Sequence, residues 1–172
     1  VTLEDPIEYR IQGLNQVQVS HKMTFADALR SVLRQDPDVI LVGEVRDSET
    51  AKLCFQAAET GHLVFTTLHA NGALEVIERL SGLGIDKLVL KSNLRLSIAQ
   101  RLEQKICSYC GIAVKNSRHE KLKTRNSNGC PHCVQGIKGR VPVLEWASFS
   151  ESNEKPLLHQ SIKEARKFRA QQ

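Results

Sequence analysis

Apolar residues fall along this chain in two rhythms. From Thr24 to Gln35 they stand three or four apart, at Phe25, Ala28, Leu29, Val32 and Leu33. That is the one-sided stripe of an amphipathic helix. Thr24 is placed to cap its start, and Pro37 to end it. The other rhythm is that of strands. Asn15 to Ser20 alternates polar and apolar, as a short strand does, and Val1 to Glu4 reads as the end of another. Val39 to Val42 is a continuous apolar run, typical of a buried parallel strand, and Leu63 to Thr67 repeats it. Between these two runs, Asp47 or Ser48 opens a helix that Gly61 closes. Further helices are expected near 73–81 and 87–103, broken by Gly82 and Gly84, then a strand over 140–146 and a terminal helix from Pro156. Strands alternating with helices predict an α/β domain with a parallel sheet.

The chain has 172 residues, enough for one core and a small added module. No apolar run approaches the length of a membrane span, and no signal peptide is visible. The opening stretch VTLEDPIE reads as the middle of a domain, and the only methionine is Met23, so a fragment or the product of a truncated gene is expected. The net charge of +5 is unevenly spread. Residues 1–100 carry 10 basic against 13 acidic side chains, and residues 101–172 carry 14 against 6. The acidic half holds the candidate chemistry. The basic half suits an anionic membrane surface, an acidic partner or nucleic acid, or is simply a solvated surface.

In an open parallel sheet, ligands bind beyond the carboxyl ends of the strands. Glu4 and Asp5 stand at one such end, and Glu44 at another, after VILVG. A carboxylate there can orient a water or hold Mg²⁺ beside a nucleotide's γ-phosphate. The usual form of this signal has an aspartate just before the glutamate, where this chain has Gly43. A third strand end carries His69, in LVFTTLHANG, and His62 opens the same strand. A histidine so placed can donate a hydrogen bond to a phosphate, or simply lie on the surface.

These segments together resemble the secretion and pilus assembly ATPases of bacteria. TLEDPIEYR is similar to that family's aspartate box, LRSVLRQDPDVILVGEVRDSETA to its atypical Walker B segment with glycine in place of aspartate, and TGHLVFTTLHANGA to its histidine box. KGRVPVLE extends the likeness towards Trp146. The resemblance implies a RecA-like P-loop NTPase core. Glu44 is then the Walker B glutamate and Glu4 a second catalytic acid. Asp5, His62 and His69 then serve ATP and Mg²⁺, with His69 the better phosphate sensor. It also implies a homo-hexamer, working with secretion or pilus platform components at the cytoplasmic face of the inner membrane, and no specific nucleic acid. Arg30 and Arg34 share one helix face, which is either salt-bridged or turned to a phosphate across a subunit boundary. One departure matters: no G-x-x-x-x-G-K-[ST] occurs in the chain. The core is therefore expected to be truncated, lacking the P-loop, and inactive alone.

Cys107-x-x-Cys110 and Cys130-x-x-Cys133 are separated by 19 residues. Two such pairs can bring four thiolates to one tetrahedral zinc, structural because no position stays open. This usage fits a reducing compartment better than disulfides. A similar insertion marks the secretion and pilus-extension branch of the family and is generally absent from its retraction ATPases. Cys54, beside Leu53 and Phe55, reads as a small buried hydrophobe. The expected organisation is a RecA-like part over 1–103, a zinc module over 104–139, and a C-terminal strand and helix over 140–172. The function expected is a motor ATPase subunit for protein secretion or pilus assembly. The alternatives are a degenerate paralogue with a docking role, or a nucleic-acid-binding zinc module. Against the last, aromatic residues are only 5% of the chain and no stacking cluster lies among the basic ones.

Overall fold

The computed structural model describes residues 1–113 and 123–149, and the backbone of 157–160. It divides into two compact units. One takes in Val1–Ser97 and returns at Ala147, and the other is built on Ile98–Trp146.

The first unit holds β1 (Thr2–Glu4), β2 (Gln16–Gln18), α1 (Phe25–Val32), β3 (Val39–Val42), α2 (Ser48–Glu59), β4 (Leu63–Thr66), α3 (Glu75–Gly82) and α4 (Lys87–Asn93). Thr24 caps α1 as expected. Its hydroxyl accepts from the Asp27 N–H at 3.2 Å, and the Asp27 carboxylate accepts from the Thr24 N–H at 3.3 Å, closing a reciprocal capping box. A 3₁₀ turn over Leu33–Gln35 prolongs the helix. Asp36, in the left-handed region at φ 54°, then breaks it ahead of Pro37. Asp47 caps α2.

The four strands form one parallel sheet in the order β2-β1-β3-β4. Leu3, Ile40 and Val42 are completely buried, and with Ala28, Leu29, Val32, Ala51, Cys54 and Ala57 of α1 and α2 they make the core. The expectation that Val39 to Val42 and Leu63 to Thr67 are buried runs is corrected here. Val39, Leu41, Leu63 and Phe65 occupy the alternate pleats and remain 37–55% exposed. The pleat turns successive side chains to opposite faces, and the buried side chains are those on the pleats that meet α1 and α2.

The remaining strands are β5 (Leu96–Ile106), β6 (Ile112–Ala113), β7 (Lys123–Thr124), β8 (Ile137–Ser148) and β9 (Leu157–Gln160). They form a sheet of order β5-β8-β9 and the small antiparallel pair β6-β7. The helix expected over 87–103 therefore ends at Asn93, and a strand follows. Exposure alternates residue by residue from Leu96 to Gln104, and apolar Leu96, Ile98 and Leu102 fit period two as well as a loose helical stripe. The pairing strand β8 lies more than thirty residues on, beyond any local signal. Residues 157–160 are likewise a strand rather than the start of the terminal helix. The rest of that expected helix lies outside the described residues. The strand expected over 140–146 is present within β8.

Candidate functional site

Because the strands of the first sheet are parallel, their carboxyl ends share one edge. Glu4 ends β1, Glu44 follows β3 and His69 follows β4, so three of the expected residues reach that edge. The backbone there is tightly tied. The Gly43 N–H donates to the Leu3 carbonyl at 2.7 Å, the Thr67 hydroxyl donates to the Gly43 carbonyl at 2.7 Å, and the Val45 N–H donates to the Thr67 carbonyl at 3.1 Å. A side chain at Gly43 would meet the Leu3 carbonyl oxygen at 2.9 Å, so aspartate has no room at this place.

Glu44 is the sheltered member, with its side chain 15% exposed against 87% for His69. His69 Nε2 stands 3.7 Å from Glu44 Oε2. Arg46 Nε donates to that same oxygen at 2.5 Å. Sequence reasoning did not single out Arg46. The signal was its place two residues beyond Glu44, within reach of a long basic side chain. Glu4 accepts from the Thr2 hydroxyl at 2.5 Å and from Gln16 Nε2 at 2.9 Å. The Thr2 bond, and after it the Gln16 bond, hold its carboxyl below the ordinary value. Asp5 lies exposed in the turn after Glu4. Beside His69 a cleft of about 300 Å³ is lined by His69, Asn71, Glu75, Glu78 and Arg79.

His62 is placed elsewhere. It lies at the amino end of β4, the edge opposite Glu44, with Nδ1 2.9 Å from the Ala57 carbonyl and 3.1 Å from the Thr60 hydroxyl at the close of α2. Arg30 pairs with Glu49 across α1 and α2 and with Asp27 at 3.5 Å, which is the salt-bridged alternative for that helix face. Arg34 sits exposed in the 3₁₀ turn. Cys54 is buried, and burial pushes its thiol up to about 12.

The second unit gathers the other four cysteines. Their sulfurs all lie within 4.8 Å of one another. Cys107 and Cys130 are 3.8 Å apart, and Cys110–Cys133 and Cys130–Cys133 are each 3.6 Å apart. Four sulfurs at roughly 2.3 Å from one tetrahedral ion stand roughly 3.8 Å apart, so the donor set fits a zinc-sized thiophilic ion. The Cys110 backbone N–H points at the Cys107 sulfur and is the main reason that thiol falls to about 6, with the Tyr109 N–H assisting against burial. Burial, and next the Cys133 thiol, push Cys110 up to about 12. The N–H groups of Cys110 and Tyr109 favour the Cys107 thiolate, the form in which a thiol ligates a metal. The two loops match each other in build: Tyr109 and His132, each two residues after a cysteine, stack with centroids 4.4 Å apart.

Among known proteins, the family described as Type II/IV secretion system protein matches residues 1–172. The Type IV pilus assembly ATPase PilB of Pseudomonas aeruginosa is 41% identical over 186 residues, covering 95% of this chain and 33% of that protein. The Type II secretion system protein E of Klebsiella pneumoniae is 52% identical over 156 residues, covering 84% and 31%. Among solved structures, the pilus retraction motor PilT with bound ADP superposes with a TM-score of 0.64 at 36% identity, over 88% of this chain and 38% of that one. The chain thus spans about a third of the length of the relatives it matches.

Proposed function

The chain belongs to the Type II/IV secretion system protein family, alongside type IV pilus assembly ATPases and type II secretion proteins E, and on that premise we propose that it is part of a motor ATPase subunit driving protein secretion or pilus assembly. The observation carrying this reading is the meeting of Glu44 and His69 at 3.7 Å on the carboxyl edge of a parallel sheet, where a nucleotide's phosphates are expected.

In this reading Glu44 orients the attacking water or holds the metal, and Glu4 is the second acid at the site. Asp5 lies close by for the metal, and His69 donates to the γ-phosphate. Bound Mg²⁺ supplies neutralisation of phosphate charge. His62, on the opposite edge, is assigned to closing α2 through Ala57. The four cysteines hold a structural zinc. The division into a nucleotide part over 1–103, a zinc module over 104–139 and a tail over 140–172 belongs to the same proposal. So do a truncated RecA-like core, a hexameric ring and a peripheral place at the cytoplasmic face of the inner membrane. No helix among the described residues is long and apolar enough to cross a membrane. These 172 residues contain no G-x-x-x-x-G-K-[ST], so a working site draws its phosphate cradle from other sequence.

The test is Glu44→Gln in the full-length product of the gene. The substitution removes a charge from the water and metal while leaving phosphate binding alone. ATP should still bind, and turnover should be lost. Hydrolysis at the parental rate would show that Glu44 does not act on the water or the metal.

A further inference from the structure

Two side chains address one oxygen of Glu44. Arg46 Nε donates to Oε2 at 2.5 Å, while His69 Nε2 stands 3.7 Å from the same atom. Oε1 makes no hydrogen bond among the described residues. The placement of Arg46 is built into the fold. Val45, just before it, is buried at 2% exposure and tied to the Thr67 carbonyl. Asp47, just after it, caps α2 by accepting from the Thr50 N–H at 2.8 Å and the Thr50 hydroxyl at 2.9 Å. With both neighbours fixed, the backbone of Arg46 has little freedom. Val45 is buried, Arg46 is exposed, and Glu44 lies part-buried between the strand end and that exposed arginine.

The exposures differ in a way that a plain surface ion pair does not explain. Arg46 is 67% exposed and Glu44 only 15%. The largely exposed guanidinium reaches the part-buried carboxylate through one hydrogen bond, to Oε2. Arginine keeps its charge at all working pH values, whereas the hold of a histidine on a carboxylate depends on its own proton.

We infer that Arg46 is a positioning residue for Glu44: its hydrogen bond to Oε2, the oxygen that His69 also approaches, fixes the carboxylate and leaves Oε1 as the oxygen free for the site. This rests on the reading of Glu44 given above. Arg46 acts through Glu44 and needs no contact with nucleotide.

The pairing is tested on the 172-residue chain by proton–nitrogen correlation spectra. The Arg46 Nε–H should be protected from solvent exchange, and Glu44→Gln should move it to the position of a free arginine. In Arg46→Gln the carboxylate passes to His69, so the His69 Nε2 resonance should move, and it should return when Glu44→Gln is added. An Arg46 signal identical with and without Glu44, or a His69 signal indifferent to Arg46→Gln, overturns the proposal. In the full-length gene product, Arg46→Gln should lower kcat about tenfold with the KM for ATP within about twofold, and Arg46→Lys should recover part of the loss. An unchanged kcat in Arg46→Gln also overturns it. If Glu44→Gln itself leaves hydrolysis intact, the functional reading fails, and the spectra still decide whether Arg46 positions Glu44.

Discussion

A Cβ on Gly43 would stand 2.9 Å from the Leu3 carbonyl oxygen and 3.5 Å from the Glu4 Cα. Both are backbone atoms of β1, so the neighbour cannot swing aside. The glycine that stands where nucleotide hydrolases often carry aspartate is thus a packing requirement of the β1–β3 contact. Gly43→Ala should cost about 1–3 kcal/mol, seen as a lower urea midpoint for the first unit, and Gly43→Asp should cost more. An alanine variant as stable as the parent would mean that β1 yields easily. At the end of the same strand, Glu4 has its carboxyl held down by Thr2 first and Gln16 second. A folded value below the unfolded one adds stability above the ordinary value of 4.5, and that stability is lost as pH falls through the lowered folded value. Thr2→Val removes the larger cause. The parent's advantage over this variant should be full at neutral pH and shrink as Glu4 protonates, measured by urea melts across acid pH. An advantage constant through that range would assign the effect to packing at Thr2 alone.

At the scale of elements, the cysteine loops depend on a close crossing. Gly136 has φ 80°, and a Cβ there would lie 2.3 Å from the Asn126 carbonyl oxygen, while its own carbonyl accepts from the Cys107 N–H at 2.8 Å. Any side chain at 136 forces the second loop away from Cys107. The purified chain should hold about one zinc, and Cys130→Ser or Gly136→Ala should lower that content. Removing metal with a chelator should expose amides of residues 107–113 and 123–136 to hydrogen exchange and leave β1, β3 and α2 protected, because the first unit has its own core. Elemental analysis finding no zinc in reduced, chelator-free protein would refute the assignment. The strand β5 marks the limit of reading elements locally. Its apolar spacing suits two periods, and pairing with β8 decides between them.

For the whole molecule, the acids and the histidine of the sheet edge come in 172 residues that contain no G-x-x-x-x-G-K-[ST] phosphate loop. Phosphates carry concentrated negative charge and are held by backbone N–H groups, a lysine and a metal ion. Glu4, Asp5 and Glu44 by themselves repel that charge. The 172-residue chain should therefore release no phosphate from ATP, even when folded and loaded with zinc. Magnesium-dependent release that survives repurification and disappears in Glu44→Gln would show that other residues of this chain supply the phosphate nest. Charge is also split at this scale: the acidic residues 1–100 hold Glu4, Glu44 and His69, and the basic residues 101–172 hold the four paired cysteines.

What the sequence determined by itself is what local chemistry states. Thr24 and Asp47 set helix starts through capping, the apolar runs marked β3 and β4, and the two C-x-x-C pairs announced a four-cysteine site. The ordered boxes around Glu4, Glu44 and His69 pointed to the family. Tertiary structure decided what depends on partners distant in the chain. It showed that one face of β3 and β4 stays open, that residues 96–106 pair as a strand, and that His62 closes a helix at the opposite edge from His69. It also showed that Arg46 and His69 converge on one oxygen of Glu44. These outcomes follow from which surfaces meet, and a periodicity within ten residues carries no record of a contact made across thirty.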